Sequence, residues 1–162
     1  MDTDEGNYHA KPQTRGKNAH LIVDEKKTSS NNDIIESLPI ISHELSVYGK
    51  IDVYKIKTHM LVERKYQLKK IYRGQIYQLW AQYFCLIEMG YIVNSIAFYE
   101  ISTRKTINID LPTSDDKDEL CKFLESYRNY DPRQTFIVNP NKCLHCIYSN
   151  LCDKTNQDNV YT

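Results

Sequence analysis

The stretch GKIDVYKIKTHMLVERKYQLKKIYRGQIYQLWAQ, residues 49–82, decides the fold of this chain. It begins with two short apolar-rich runs, residues 51–56 and 60–66, which predict two β-strands. A tight turn at residues 57–59 predicts that these strands pair as a hairpin. Residues 70–89 then change to a helical pattern, and Gly90 is predicted to end the helix.

Three charged residues lie on the predicted hairpin. Glu63 and Lys65 are two residues apart, so their side chains share one face of a strand, and Asp52 lies on the preceding run. Carboxylate oxygens suit Mg²⁺ or Mn²⁺, and a neighbouring ammonium can orient a water or steady a charged phosphate. Charged residues near strands are also common without any function, and this spacing arises by chance in many proteins. Apolar neighbours at Val53 and Val62 favour the functional interpretation, because they place the charges on core-forming strands.

A local excess of positive charge accompanies the hairpin. Residues 50–73 hold eight basic and two acidic residues, although the whole chain is neutral at 21 against 21. Such a surface is typical of proteins that follow a phosphate backbone. We therefore expect Lys69, Lys70 and one helix face with Gln75, Gln78 and Gln82 to border a DNA groove. A solvated basic face and a solvated glutamine stripe are the ordinary alternatives.

The rest of the chain predicts a mixed α/β domain. Residues 38–48 predict a first strand, and residues 94–101 and 106–111 predict two later strands joined by a turn at 103–104. A second long helix is predicted over 115–127, capped by Ser114 or Thr113 and facing inward through Leu120, Leu124 and Tyr127. The predicted divisions are a loop or disordered lead (1–15), a core (16–130), a cysteine-bearing lobe (131–154) and a tail (155–162), with a short helix at 16–25 and a polar loop at 26–36.

Composition favours a folded cytoplasmic protein. The chain has 162 residues, 41% hydrophobic residues and 13 tyrosines, enough for a real core in one domain. No apolar run approaches the ~20 residues of a membrane span, and the polar start MDTDEGNYHA is not a signal peptide. Five cysteines, an odd count, favour reduced thiols or metal ligands over a disulfide framework.

Three of those cysteines lie close together near the end of the sequence. Cys143, Cys146 and Cys152 have the short spacing of ligands for zinc or an iron–sulfur cluster, and we expect their sulfurs to converge on one point. A tetrahedral site needs a fourth ligand. The candidates are Cys85, Cys121 and His145, or a residue that this sequence does not contain. Both Cys85 and Cys121 lie on predicted helices and are better explained as core thiols.

Together, GKIDVY, VERK, a glutamine-bearing helix and the C-terminal CxxC…C resemble the RecB-like iron–sulfur nucleases of CRISPR spacer acquisition. The resemblance covers residues 16–152 and implies a restriction-endonuclease-like core, with a mixed sheet flanked by helices and a small cysteine-bearing lobe. It implies that His20, in the segment GKNAH, joins Asp52 and Glu63 as a ligand of Mg²⁺ or Mn²⁺, with the backbone carbonyl of Arg64. Lys65 is then the catalytic lysine, and Gln78 begins the helix motif.

The same resemblance implies a DNA exonuclease that trims fragments for integration as spacers, with the CRISPR integrase complex as partner and a [4Fe–4S] cluster as second cofactor. Two positions differ from the family pattern. The family has a tyrosine four residues after the motif glutamine, where this chain has Gln82, with Tyr83 next to it. The family also has an upstream fourth cluster cysteine, whereas this sequence has none before Cys85, and we expect a late start or an incomplete cluster.

Two other functions remain open at this point. A non-catalytic DNA-binding or sensing subunit would keep the metal cluster for structure only. A RecB-like nuclease of general DNA repair would use the same chemistry without the integrase. Intact ligand positions favour catalysis over pure binding. A neighbouring integrase gene would separate spacer acquisition from repair.

Overall fold

A computed structural model of the chain describes residues 33–131, 133, 139–144, 146, 148–149 and 152. The chain divides into two compact units, Asn18–Tyr130 and a second made of Met1–Lys17 with Asp131–Thr162. The predicted helix at 16–25 and the metal ligand predicted at His20 lie outside the described residues. None of the described helices has the length and apolar character to cross a membrane.

The larger unit is built on a five-stranded mixed sheet. Its strands are β1 (Ile34–Glu36), β4 (Val53–Lys55), β5 (Met60–Lys65), β6 (Ser95–Glu100) and β7 (Lys105–Ile109). Their spatial order is β1-β4-β5-β6-β7, in which β5 and β6 run parallel and every other neighbouring pair is antiparallel. The mixed α/β fold is therefore confirmed.

The hairpin predicted from the sequence forms the centre of this sheet. Strands β4 and β5 pair antiparallel with Val53 opposite Val62, and a turn over residues 56–59 joins them. His59 closes that turn in the left-handed region, with φ of 50°. Val53, Leu61 and Val62 are buried, as expected of core-forming strands.

One prediction about the strands was wrong. Residues 38–48 do not form a single strand, because β2 (Pro39–Ser42) turns back at residues 43–46 and pairs with β3 (Val47–Lys50) as a separate two-stranded sheet. The turn is stabilised by contacts that are distant in sequence: the Glu88 carboxylate accepts hydrogen bonds from the backbone N–H groups of His43 and Glu44. The predicted polar loop at 26–36 also ends in a strand, since β1 begins at Ile34.

The helix α1 (Arg73–Glu88) connects the parallel strands β5 and β6. Leu79, Trp80 and Leu86 are buried in the core, whereas Ile87 is 43% exposed. The prediction that Gly90 ends the helix is confirmed, because Gly90 lies just after it with φ of 87° and the helix would require a negative value.

The helix α2 (Ser114–Arg128) is capped by Thr113, whose hydroxyl oxygen accepts a hydrogen bond from the backbone N–H of Asp116. Leu120 is buried and Leu124 packs against the core, as predicted. Tyr127 was wrongly predicted to face inward, since it is 74% exposed. The next residue, Arg128, donates to the carbonyl oxygens of Leu45 and Ser46, so the last turn meets polar backbone rather than apolar side chains. A short helix α3 (Pro140–Cys143) belongs to the second unit.

Candidate active site

The β4–β5 hairpin brings the three predicted site residues close together. Asp52 directly precedes β4, and its Oδ2 accepts a hydrogen bond from the backbone N–H of Arg64 on β5. Lys65 follows two positions after Glu63 on β5, so these two side chains share one face of the sheet, and their charged groups lie 2.8 Å apart. That the three residues form a catalytic metal site stays a prediction.

Glu63 is the centre of a buried polar network. Its side chain is almost fully buried, and it accepts three hydrogen bonds. Oε1 accepts from Lys65 Nζ at 2.8 Å and Gln78 Nε2 at 2.6 Å, and Oε2 accepts from Gln82 Nε2 at 2.8 Å. Lys65 also donates to Gln78 Oε1 at 2.9 Å. The ammonium compensates the buried carboxylate charge, and the two glutamines fix its orientation.

The second carboxylate is held by the backbone of the same strand. Asp52 Oδ2 accepts a hydrogen bond from the backbone N–H of Arg64 at 2.8 Å. The Arg64 side chain belongs to the opposite face and is 3% exposed, with its guanidinium 3.5 Å from Glu36 Oε1. The sequence pattern does not predict the contact with Glu36, because residues 26–36 are expected to form a loop and Glu36 belongs to β1. The role of the Arg64 carbonyl as a metal ligand stays a prediction.

The three glutamines of α1 have different positions. Gln78 and Gln82 both donate to Glu63, and only 5% of Gln82 is exposed. Gln75 instead turns back to the start of the helix, where its Oε1 accepts from the backbone N–H of Tyr72 at 2.8 Å. The prediction of one face with three glutamines on a groove was therefore wrong for Gln75, which caps the helix. A solvated stripe does not account for Gln82, because its amide is buried and bonded to Glu63.

The basic run is partly neutralised. Arg64, Lys65 and Arg73 pair with acidic partners, and Lys57 lies 2.6 Å from Asp33. Within residues 33–131, Lys69 and Lys70 are exposed and make no ion pair.

The loop that carries these lysines is held by Glu100. Its carboxylate accepts hydrogen bonds from the backbone N–H of Leu68 at 2.9 Å and from Thr103 at 2.7 Å. Leu68 first, then Thr103 and Ser102, hold the pKa of Glu100 below its usual range. A carboxylate that stays ionised anchors this loop, on which Lys69 and Lys70 are exposed and the Lys70 ammonium lies over the Tyr72 ring.

The cysteine segment lies in the second unit. Two backbone hydrogen bonds are described at its cysteines: the Cys146 N–H donates to the Cys143 carbonyl at 3.1 Å, and the Cys152 N–H donates to the Ser149 carbonyl at 3.4 Å. Among the described residues, no three His, Cys, Asp or Glu side chains gather as a metal site. The predicted convergence of Cys143, Cys146 and Cys152 is therefore not seen among the described residues. His145 lies outside the described residues.

The other two cysteines belong to the larger unit. Cys85 is 1% exposed in the core, as predicted, and burial raises the pKa of its thiol to about 11. Cys121 lies on α2 and packs against the core.

Comparison with solved structures supports the fold alone. The chain is similar to a structure described as "Crystal structure of SSO0001", with a TM-score of 0.55 and 15% sequence identity. The match covers 90% of this chain and 72% of the other. No protein-family model and no curated protein matches the chain.

Proposed function

We propose that this protein is a metal-dependent DNA exonuclease with a restriction-endonuclease-like core. The observation that carries the proposal is that Asp52, bonded to the backbone N–H of Arg64, lies next to the bonded pair of Glu63 and Lys65. Gln78 and Gln82 are also bonded to Glu63. Two carboxylates and an amine in this arrangement suit phosphodiester hydrolysis. The order of motifs along the sequence supports a role in trimming DNA for CRISPR spacer integration, with the integrase complex as partner.

The donor chemistry of this face fits Mg²⁺ or Mn²⁺. Asp52 and Glu63 would hold the ion, with His20 and the Arg64 carbonyl as further ligands. Among the described residues, Glu63 Oε2 accepts from Gln82 alone, which leaves a lone pair for a cation. When bound, the ion supplies Lewis-acid polarisation of the scissile phosphate and lowers the pKa of a bound water.

The side chains of the protein do the remaining work. Lys65 holds a proton at Nζ within reach of Glu63 and stabilises negative charge that develops on the phosphate. Gln78 locks Lys65 in place by accepting its second hydrogen bond. Gln82 orients Glu63 from the buried side by donating to its Oε2. Cys143, Cys146 and Cys152 are the proposed ligands of an iron–sulfur cluster, or of zinc, with a fourth ligand still to be identified.

A nuclease assay with matched variants tests the proposal. The unmodified protein should degrade single-stranded or duplex DNA only with Mg²⁺ or Mn²⁺. Lys65→Ala should abolish most cleavage while Mn²⁺ still raises the melting temperature, because Lys65 is not a ligand. Asp52→Ala should lose both the cleavage and the Mn²⁺-dependent stabilisation. Asp118→Ala removes an exposed carboxylate on α2 and should behave as the unmodified protein. Normal cleavage by Asp52→Ala would place the reaction elsewhere.

A non-catalytic DNA-binding subunit is the second candidate. It is favoured by the three donors on Glu63, because a satisfied buried network of this kind also stabilises a fold without any metal. In that case the anaerobically purified protein would bind DNA and show no metal-dependent cleavage. A repair nuclease would cleave DNA but would not associate with the integrase, and iron analysis of the same preparation tests the proposed cluster.

A further inference from the structure

A cavity adjoins the candidate active site within the larger unit. It has a volume of about 280 Å³ and lies between the β2–β3 sheet and α1. The apolar part of the cavity wall is formed by Ile40, Val47 and Cys85. Gln78 and Gln82 also line it, and both bond Glu63, so one layer of side chains separates the cavity from that carboxylate.

Two small residues keep the cavity open. Gly49 on β3 pairs with Ile40, so it belongs to the sheet face that meets α1, and Ala81 lies on the opposite wall. A Cβ added at Gly49 would meet nothing within 4 Å, and the backbone there is not left-handed. The conformation of β3 therefore does not require glycine, and what glycine provides at this position is space.

An unsatisfied and buried hydrogen-bond acceptor lies in the wall of the cavity. Gln82 is 95% buried, and its Oε1 has no partner in the described part of the chain. The orientation of the amide is determined, because Nε2 must face the acceptor-only carboxylate of Glu63. Oε1 is therefore turned away from Glu63, and a buried acceptor without a donor costs free energy until a donor arrives.

The shape and chemistry of the space point to one class of occupant. Its volume lies below the ~300–1,000 Å³ of sites for drug-sized ligands, which leaves room for one flat ring system. Apolar walls suit the faces of such a ring. Oε1 of Gln82 has almost no accessible surface, so an N–H on the edge of the ring reaches it only when the covering side chains of the wall shift. Lys50, which also lines the cavity, is exposed and makes no ion pair with the described residues, so it can meet a phosphate.

We propose that this cavity binds one unstacked nucleobase of the DNA strand held at Glu63, with Gln82 Oε1 accepting a hydrogen bond from the base. The assignment rests on the proposed function and adds to it a base-dependent step. A base inserted here anchors the strand beside the carboxylate.

Abasic scanning of a single-stranded oligodeoxynucleotide tests this pocket. Affinity is measured with EDTA present, so that no strand is cut, while one abasic nucleotide is moved along the oligonucleotide. For the unmodified protein we expect about a tenfold loss of affinity at one position and little loss elsewhere. Gly49→Val should fill the cavity, give a flat scan and bind the intact oligonucleotide about tenfold more weakly. Its melting temperature should not fall, because valine suits a strand better than glycine.

Gly74→Ala is the matched control, since an added Cβ also meets nothing there and Gly74 lies outside the cavity. It should keep the scan of the unmodified protein. Ala81→Leu fills the cavity from the other wall and should repeat the Gly49→Val result, even if the latter variant is unstable. A flat scan from an unmodified protein that binds and cleaves DNA would overturn the pocket and leave the nuclease proposal standing.

Two further outcomes also count against the pocket. A position-dependent scan retained by both filled variants would place the base elsewhere. Competition by a free deoxynucleoside monophosphate, combined with a flat scan, would assign the cavity to a free nucleotide instead of a strand. Absence of both DNA binding and metal-dependent cleavage in the unmodified protein would remove the proposed function together with this inference.

Discussion

At the scale of single residues, burial decides which polar groups are functional candidates. Glu63 and Gln82 are both buried and bonded to each other, whereas an exposed residue such as Lys69 has no such partner among the described residues. A buried carboxylate requires donors, and the chain supplies three to Glu63. The site is consequently preorganised before any ligand arrives.

Cysteine chemistry gives a prediction at this scale. Burial raises the pKa of Cys85 to about 11, so at pH 8 roughly one thiol in a thousand is ionised. In metal-free protein we expect iodoacetamide to modify the exposed Cys146 and Cys152, and to modify Cys85 only after denaturation. Peptide mass spectrometry of native and denatured samples measures this. Labelling of native Cys85 at the rate of Cys146 would contradict its assignment to the core.

At the scale of elements, α1 organises the larger unit. Its middle supplies Gln78 and Gln82 to the candidate site, and its last residue supplies Glu88 to the β2–β3 turn. The Ser42 hydroxyl donates to the Glu88 carboxylate at 2.5 Å, and the backbone N–H of His43 donates to it at 2.8 Å. Glu88 lies at the C-terminal end of α1, where the helix dipole disfavours negative charge. The hydrogen bonds from the β2–β3 turn therefore stabilise its carboxylate.

The Glu88 contacts predict a pH-dependent contribution to stability. Ser42 first, and then the His43 and Glu44 N–H groups, hold the pKa of Glu88 below its usual value of 4.5. The stabilisation is therefore complete above that value and is lost as the pH falls through the lower folded-state pKa. Glu88→Gln should lower the urea midpoint near neutral pH, and the difference from the unmodified protein should shrink at about pH 3.

Glu125→Gln is the control for this experiment. Glu125 is exposed on α2, and its substitution should leave the urea midpoint nearly unchanged at both pH values. A Glu88→Gln deficit that persists unchanged in acid would show that the contribution is not electrostatic.

At the scale of the whole molecule, the distribution of charge matters more than its sum. The chain is neutral overall, yet Glu100 anchors a loop that presents Lys69 and Lys70 beside the strand end at Lys65. Exposed lysines without ion pairs can follow a phosphate backbone, and each contact releases a counterion. DNA affinity should therefore depend on the concentration of salt.

Charge reversal at this loop measures how much the loop contributes to DNA affinity. Lys69→Glu with Lys70→Glu should weaken DNA binding without lowering the melting temperature. The slope of log affinity against log salt should decrease by about 0.7 per lost contact for single strands. Lys122→Glu reverses an exposed charge on α2 and should have a much smaller effect. Equal salt slopes for all three proteins would exclude the 69–70 loop as a DNA surface.

The elements that could be predicted depend on local patterns. The β4–β5 hairpin, α1 with its end at Gly90, strand β6 and the start of α2 near Thr113 follow from periodicity, turn residues and caps within a few positions. The sharing of a face by Glu63 and Lys65 follows from the same two-residue repeat. Local sequence thus determined where the candidate carboxylates and amine lie.

Contacts between distant residues decided the rest. The break between β2 and β3 depends on Glu88, more than 40 positions away, and the failure of Tyr127 to pack depends on where Arg128 meets the same turn. Gln82 is buried because α1 lies over Glu63, and the cavity exists because Gly49 faces Ala81 across two elements. A local pattern carries no information on these pairings, since their free energy appears only when the helix and both sheets have packed together.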